Sequence, residues 1–288
     1  MSISEAIKLA RPNLSVSSVK TYSSVLTSLH KKVFGSGEMH LKDFDQDERI
    51  IHFLKSKPAA SRKSVLASLV VLTGNDVYKK AMAADCITFA ADIAKQENTP
   101  KQKAAEISQD EIRTIFDRLS AEATLLYNKK HRTVSDLLQI SDYVILALLS
   151  GIFIPPRRAL DYTAFKIKEI NPAVDNYLEK NELVFNTFKT SKTYGKQTVT
   201  CPPALKAILV KYYKINPTDF LLFDSKFKPL TSVTLNQRLC RIFGNRKIAI
   251  NSLRHSYLTS KYTSLSKEQK LMQADVEQMG TSPSMLST

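Results

Sequence analysis

The composition of this 288-residue chain is that of a two-domain globular protein with a large excess of positive charge. Lys and Arg number 42 against 27 Asp and Glu, and the net charge of +15 favours a polyanion such as nucleic acid, although solubility alone could also explain it. Three scattered cysteines exclude a disulfide framework and a CxxC zinc site. Without a visible membrane span or secretory signal, we expect an intracellular protein of the cytoplasm or nucleus, not secreted and contacting no membrane.

The first 96 residues predict a small bundle of helices. Apolar residues recur at three- and four-residue steps in four stretches, which predict helices over about 16–33, 50–54, 61–72 and 76–96. The first of these helices could be capped by Ser15, Ser17 or Ser18, and Gly35 to Gly37 should end it. The bundle also carries basic residues on its predicted solvent side, either as DNA-phosphate contacts or as a merely solvated face: Lys20, Arg62 and Lys63.

A polar segment without periodicity, residues 97–107, predicts a linker. Ser108 and Glu111 then have the spacing of a capping box, which opens a helix through Leu119. The next predicted helix, residues 135–149, has a nearly continuous apolar face, so it should be buried.

The second predicted domain, residues 108–288, changes to the two-residue period of a strand near its middle. Residues 183–189 alternate and are rich in aromatic and β-branched types, a turn follows, and residues 197–200 predict a returning strand. The remaining predicted elements are helices over 204–213, 235–243, 252–262 and 267–279. The expected fold class is therefore mainly α with a small β-hairpin or sheet (α+β).

Arg158 and Asp161 are the first candidate site residues. At positions i and i+3 of a new helix they would share a face, so Asp161 could hold Arg158 in place, although an ordinary surface ion pair is the commoner outcome. The predicted hairpin supplies a second candidate set. A lysine there can enter a DNA groove or donate a proton, or simply be solvated, and this set is Lys189, Lys192 and Lys196.

Arg254 is the third candidate, at the predicted start of a helix with Asn251 or Ser252 as N-cap. Backbone N–H groups of a first helical turn point at anions, and the planar donor fork of Arg254 suits a phosphate. His255 beside it reads most simply as a packed histidine that supports Arg254. The fourth candidate is the small hydroxyl of Thr281, in a loop near the end of the sequence.

The order and spacing of these four sites resemble the tyrosine recombinase, or integrase, family. Arg158 and Asp161, with the run 165–170, look like the first catalytic Arg of the family, its acidic partner and the segment that leads into the strand. Lys189 looks like the hairpin lysine, with Lys192 as the runner-up. Two further motifs match at the end of the chain, Leu-Arg-His-Ser at 253–256 and Met-Gly-Thr-Ser at 279–282.

The sequence departs from the family pattern at three places. Asn251 stands where the family usually has a His, and Thr281 stands where it usually has a His or Trp. Both residues can hydrogen-bond a phosphate oxygen, but neither can shuttle a proton. The resemblance places the nucleophilic Tyr just beyond Thr288, and Tyr257 and Tyr262 are poor substitutes because the family places packed aromatics there.

The resemblance also implies a reaction. A tyrosine attacks a DNA phosphodiester and forms a 3′-phosphotyrosyl link, while Arg158 and Arg254 stabilise the added charge, assisted by Asn251 and Thr281, and Lys189 protonates the 5′-oxygen. No metal and no nucleotide cofactor is required. The implied partner is double-stranded DNA, which a helical core-binding domain and the catalytic domain clamp together, in a dimer or tetramer on the DNA.

Other functions stay open on the sequence alone. The chain could be a catalytically degenerate DNA-binding relative, as the departures at Asn251 and Thr281 suggest. It could be a type IB topoisomerase-like enzyme, which shares the chemistry, or a basic helical scaffold with chance matches. Because its Tyr is expected after Thr288, the 288-residue chain should bind duplex DNA without covalent trapping.

Overall fold

The computed structural model describes residues 1–94 and 100–278. In these residues the chain is mainly helical, with one three-stranded sheet, which confirms the predicted fold class. It divides into two compact units, unit 1 over Met1–Asn98 and unit 2 over Thr99–Thr288. Each unit has a hydrophobic core of its own.

Unit 1 is a helical bundle, as predicted. Its helices are α1 (Ile3–Ala10), α2 (Val16–Phe34), α3 (Asp47–Lys55), α4 (Ala59–Thr73) and α5 (Asp76–Ala94), with a 3₁₀ helix at Leu41–Asp45. Ser15 caps α2 by accepting from the backbone N–H of Ser18, and Gly35 ends the helix at a φ of 92°. The sequence analysis missed α1, although Ser2 and Glu5 form its capping box.

The helices of unit 2 follow the predicted pattern except in the predicted linker, in the predicted turn 190–195 and in the last helix. They are α6 (Pro100–Ala104), α7 (Gln109–Tyr127), α8 (Val134–Leu149), α9 (Ala159–Thr163), α10 (Ser191–Tyr194), α11 (Pro203–Tyr213), α12 (Ser232–Ile242) and α13 (Ile250–Gln278). The short helix α6 lies inside the segment predicted to be an irregular linker. Ser108 caps α7 as expected, and α8 is buried along most of its length.

A small antiparallel sheet lies beside the helices of unit 2. Strands β2 (Glu182–Phe185) and β3 (Gln197–Thr200) form the predicted hairpin, and Phe185 pairs with Gln197 at the end where the connection leaves the strands. A third strand, β1 (Tyr177–Glu179), pairs with β2 and was missed by the sequence analysis. The connection 186–196 contains α10 and carries all three lysines of the predicted hairpin.

Helix α13 differs from the prediction at both ends. It runs without a break where two helices were expected, and it begins at Ile250, so neither Asn251 nor Ser252 is its N-cap. The prediction of those two caps was therefore wrong. The backbone N–H of Ile250 instead donates to Oδ1 of Asn236 on α12, at 3.1 Å. A side chain from a different helix thus satisfies one of the free N–H groups at the start of α13.

Candidate active site

Arg254 lies in the second turn of α13, where its partly buried side chain is anchored beside the fully buried Leu253. Burial lowers the pKa of Arg254, the positive charge of Arg158 lowers it further, and the negative charge of Asp161 opposes both effects. Arg158 and Asp161 are thus near enough to Arg254 for their charges to act on it, although arginine stays protonated throughout the range in which proteins fold.

The ion pair expected between Asp161 and Arg158 is formed by the preceding residue instead. Nε of Arg157 donates to Oδ2 of Asp161 at 2.7 Å, with only 18% and 4% of the two side chains exposed. Arg158 is exposed and has a ψ of 161°, so it stands at the N-cap of α9 rather than inside the helix. The predicted pairing was wrong because Arg157, which stacks on the Phe185 ring, takes the place beside the carboxylate while Arg158 stays exposed.

The buried carboxylate of Asp161 can accept a further hydrogen bond. Burial raises its pKa, against the opposing effect of Arg157 and then Arg158. Its Oδ1 atom has no hydrogen-bond partner among the described residues. An unpaired buried carboxylate oxygen is costly, so the carboxylate favours further positive charge near this site. After Arg157, the exposed Arg158 is the cation whose charge acts on it most.

The three lysines of the connection 186–196 are exposed, and the start of the connection is held by hydrogen bonds. Lys189, Lys192 and Lys196 are all exposed, and Lys189 directly follows the buried Phe188. The buried Asn176 fixes the start of the connection. Its side-chain amide donates to the carbonyls of Asp161 at 2.8 Å and Thr187 at 2.7 Å. Lys189 makes no hydrogen bond or ion pair with another described residue, so its ammonium group is free for a ligand.

The remaining predicted site residues have different outcomes. Asn251 is exposed on the first turn of α13. His255 is also exposed, with only a long contact of 3.4 Å between its Nδ1 and the Thr259 hydroxyl, so the expected packed histidine is wrong. Thr281 lies outside the described residues.

Contacts that sequence reasoning missed fix the helix carrying Arg254. Gly151 has a φ of +85°, and a Cβ atom placed there would lie 2.5 Å from Cδ2 of Tyr257, one turn beyond Arg254. The amide of Gln109 donates to the buried Ser256 hydroxyl at 3.0 Å. A glycine next to a turn is a weak sequence signal, and its partner is more than a hundred residues away.

A buried arginine on α12 supports the helices beneath the site. Arg238 is 3% exposed, and its Nε donates to Oδ1 of Asp142 on α8 at 2.7 Å. Its remaining donors reach the Ser141 hydroxyl and the carbonyls of Leu138 and Phe223. The guanidinium is therefore surrounded by acceptors, as a buried charge requires.

The three basic residues predicted to contact DNA from unit 1 differ in their surroundings. Lys20 is exposed on α2. Arg62 is not the free solvent-facing residue that was expected, because its Nε donates to both carboxylate oxygens of the buried Asp85, at 3.1 and 2.9 Å. Lys63 is partly buried, with its Nζ 3.9 Å from the ring centroid of Phe89. Only Lys20 is thus fully available to a phosphate.

Over residues 1–94 and 100–278, no helix combines the length and the apolar character that crossing a lipid bilayer requires.

Comparison with known proteins places the fold. No protein-family model and no curated protein matches the sequence. Among solved structures, a lambda integrase dimer bound to a COC′ core site is similar at 17% identity, over 94% of this chain and 71% of that chain, with a TM-score of 0.50. Two weaker matches are a lambda integrase tetramer bound to a Holliday junction (16% identity, 88% and 70% covered, TM-score 0.48) and the XerH site-specific recombinase bound to difH substrate (17%, 92% and 74%, TM-score 0.44).

The TM-score of 0.50 confirms the resemblance read from the sequence at the level of the fold: the chain has a fold similar to that of lambda integrase.

Proposed function

We propose that this protein binds duplex DNA and cuts and rejoins it as a tyrosine recombinase. The observation that supports this most is a basic cluster in unit 2. The buried carboxylate of Asp161 pairs with Arg157 at 2.7 Å, Arg158 stands exposed at the N-cap of the same helix, and the charges of Arg158 and Asp161 both act on the partly buried Arg254. The positive charges at this site outnumber the negative charge of the one buried acid. The site therefore suits an anion. A DNA phosphodiester in its transition state carries additional negative charge on its nonbridging oxygens, and preorganised donors stabilise it.

In the proposed mechanism, Arg158 and Arg254 bind the nonbridging oxygens of the scissile phosphate. A tyrosine hydroxyl attacks phosphorus and forms the 3′-phosphotyrosyl bond as the bond to the 5′-oxygen breaks. Lys189 donates the proton that this oxygen needs, which its exposed and unpaired ammonium group allows. Asn251, exposed one turn before Arg254, is placed to donate a hydrogen bond but not to shuttle a proton.

We assign the nucleophile to none of the tyrosines near Arg254. The ring of Tyr257 packs against Gly151, and its hydroxyl is 3.2 Å from the ammonium group of Lys261. Tyr262 lies two turns beyond Arg254 on the same helix, with its ring 5.5 Å from that ammonium group. We therefore expect neither Tyr257 nor Tyr262 to form a covalent adduct with DNA. A 3′-phosphotyrosyl adduct at either tyrosine would overturn that assignment.

A second candidate function is DNA binding without catalysis. Asn251 supports it, because an amide replaces the proton-shuttling histidine that the family resemblance predicts at this position. The two candidates differ in whether any form of the protein cleaves DNA, and they share the same duplex partner. The similar lambda integrase structure is described as a dimer on its DNA site, and we propose a dimer or a larger assembly on DNA for this chain as well.

The test compares duplex DNA affinity over a range of salt concentrations for the unmodified protein, Arg158→Ala and Arg254→Ala. The matched control is Arg118→Ala, which removes the same charge from an exposed ion pair with Glu122 on α7. In a form of the protein that cleaves DNA, losing either site arginine should lower the cleavage rate on the order of 10²–10³-fold. Affinity should fall by much less. Equal loss of binding and cleavage, or an equal effect of Arg118→Ala, would contradict the proposed site.

A further inference from the structure

Arg157 joins two separate parts of unit 2 through one guanidinium group. On one side its Nε donates to Oδ2 of Asp161 on α9, at 2.7 Å. On the other side its Nη2 donates to Oε1 of Gln197 on β3, at 3.0 Å. Because the side chain is mostly buried, these two bonds are shielded from water and hold more firmly than surface contacts. Helix α9 and the sheet are thus tied together at this residue.

Two phenylalanine rings pack against the same guanidinium. Its central carbon lies 4.1 Å from the ring centroid of Phe185 and 5.3 Å from that of Phe188. Phe185 is in turn fixed edge-on against the buried ring of Tyr162, with centroids 5.8 Å apart. A planar guanidinium can stack on rings and donate in its plane at the same time, whereas a lysine ammonium cannot. The position is therefore specific for arginine.

These contacts fall on the base of the lysine-bearing connection. Phe185 ends β2, Gln197 begins β3, and the two are partners in the strand register that closes the connection 186–196. Phe188 directly precedes Lys189. Arg157 thus contacts both strands where the connection leaves the sheet, and it also contacts the residue that leads into Lys189.

We propose that Arg157 is a positioning residue that holds the connection 186–196, and with it Lys189, at a fixed place relative to Arg158 and Arg254. The proposal deepens the proposed function and rests on it for its catalytic meaning. Arg157 itself does not bind the phosphate, because its Nε and Nη2 are already engaged and the group is mostly buried. The neighbouring Arg158 is exposed and takes that role.

The first test needs no DNA. Brief trypsin treatment of the native 288-residue protein, read by mass spectrometry, reports how often the connection opens at Lys189, Lys192 and Lys196. Gln197→Ala removes only the bond to the sheet and leaves the Asp161 pair intact, whereas Arg157→Gln removes both bonds and the stacking. We expect cleavage in the connection to rise by about threefold in the first variant and about tenfold or more in the second, following the open population.

Two comparisons make this test decisive. Arg118→Gln, a control in an exposed ion pair of the same unit, should leave cleavage in the connection unchanged. Arg157→Lys should resemble Arg157→Gln, because the charge alone cannot reproduce the fork and the stacking. Cleavage that stays at the unmodified level in both Arg157→Gln and Gln197→Ala would overturn the positioning role.

The second test uses a mixed-sequence DNA duplex and measures how affinity depends on salt. Arg158→Gln should reduce the slope of log K against log salt by about 0.9, the value for one phosphate contact, while Arg157→Gln should leave it nearly unchanged. If Arg157→Gln reduces the slope equally while the connection stays protected from trypsin, Arg157 is itself a phosphate ligand and the proposal is overturned. If the unmodified protein does not bind the duplex at all, the proposed function fails, and the trypsin result still decides the positioning role.

Discussion

Replacing Gly151 by alanine should disturb the site through the helix that carries Arg254. Gly151 follows α8 with a φ of +85°, a conformation that residues with a Cβ atom rarely adopt. The new methyl group would also lie 2.5 Å from Cδ2 and 3.2 Å from Cγ of Tyr257. Tyr257 is one turn beyond Arg254 on α13, so relief of the clash must move the ring or the helix that carries the arginine.

The expected cost has two parts. A residue other than glycine held at positive φ costs on the order of 1–2 kcal/mol. Forcing an extra group into a packed contact adds about 1–3 kcal/mol. Gly151→Ala should therefore lower the free energy of unfolding of unit 2 by about 2–5 kcal/mol. Gly244→Ala is the matched control, because Gly244 has a φ of +66° with open space around it and should show only the first part.

Hydrogen exchange of peptides from unit 2 is the suitable measurement, since a chain of two units need not unfold in a single step. In the background of Tyr257→Ala the steric part disappears, so Gly151→Ala should then cost about as much as Gly244→Ala. The reasoning is refuted if Gly151→Ala costs no more than the control, or if removing the Tyr257 ring leaves its cost unchanged.

Three further predictions concern other charged groups. Arg238→Ala should destabilise unit 2 by about 3 kcal/mol, the lower end of the range for a buried pair, because it leaves the partly buried carboxylate of Asp142 without its ion-pair partner; the same exchange experiment measures it. The pKa of Asp136 is lowered from 3.8 to about 2, mainly by its hydrogen bond from Lys129. The carboxylate therefore stabilises the folded state above pH 4, and this stabilisation is lost as the pH falls towards 2. Asp136→Asn should accordingly make the free energy of unfolding depend less on pH in the acid range, as measured by unfolding at several pH values. Lys20→Ala should weaken DNA binding and reduce its salt slope by about 0.9, as measured by titration at several salt concentrations, and an unchanged slope would remove Lys20 from the DNA-contacting surface.

Local patterns predicted most helices of the described residues because their causes are local. Ser15 and Ser108 cap the helices that follow them through bonds to residues only three positions away. The hairpin was also predictable, since residues 183–185 are an apolar run of strand-forming types and residues 197–200 alternate between half-buried and exposed positions. The strand Tyr177–Glu179 was missed because a strand of three residues is too short for alternation to be visible.

The parts of the site that sequence reasoning missed depend on distant residues. Nothing near Ile250 in the sequence shows that its N–H is satisfied by Asn236. Whether Arg157 or Arg158 pairs with Asp161 depends on which arginine stacks on the Phe185 ring. That ring belongs to β2, more than twenty residues further along the chain. Spacing alone treats both arginines as near neighbours of the acid on the chain, and only the tertiary structure separates the buried one from the exposed one.

The capping of α13 by Asn236 has a consequence for protein engineering. A graft that moved only the α13 segment into a related scaffold would leave the Ile250 N–H without its acceptor, and the orientation of Arg254 would then depend on whatever the host supplied. The smallest portable piece therefore begins with α12, at Ser232, and continues through Tyr257. The host must in turn offer a glycine opposite that tyrosine, as this chain does at Gly151.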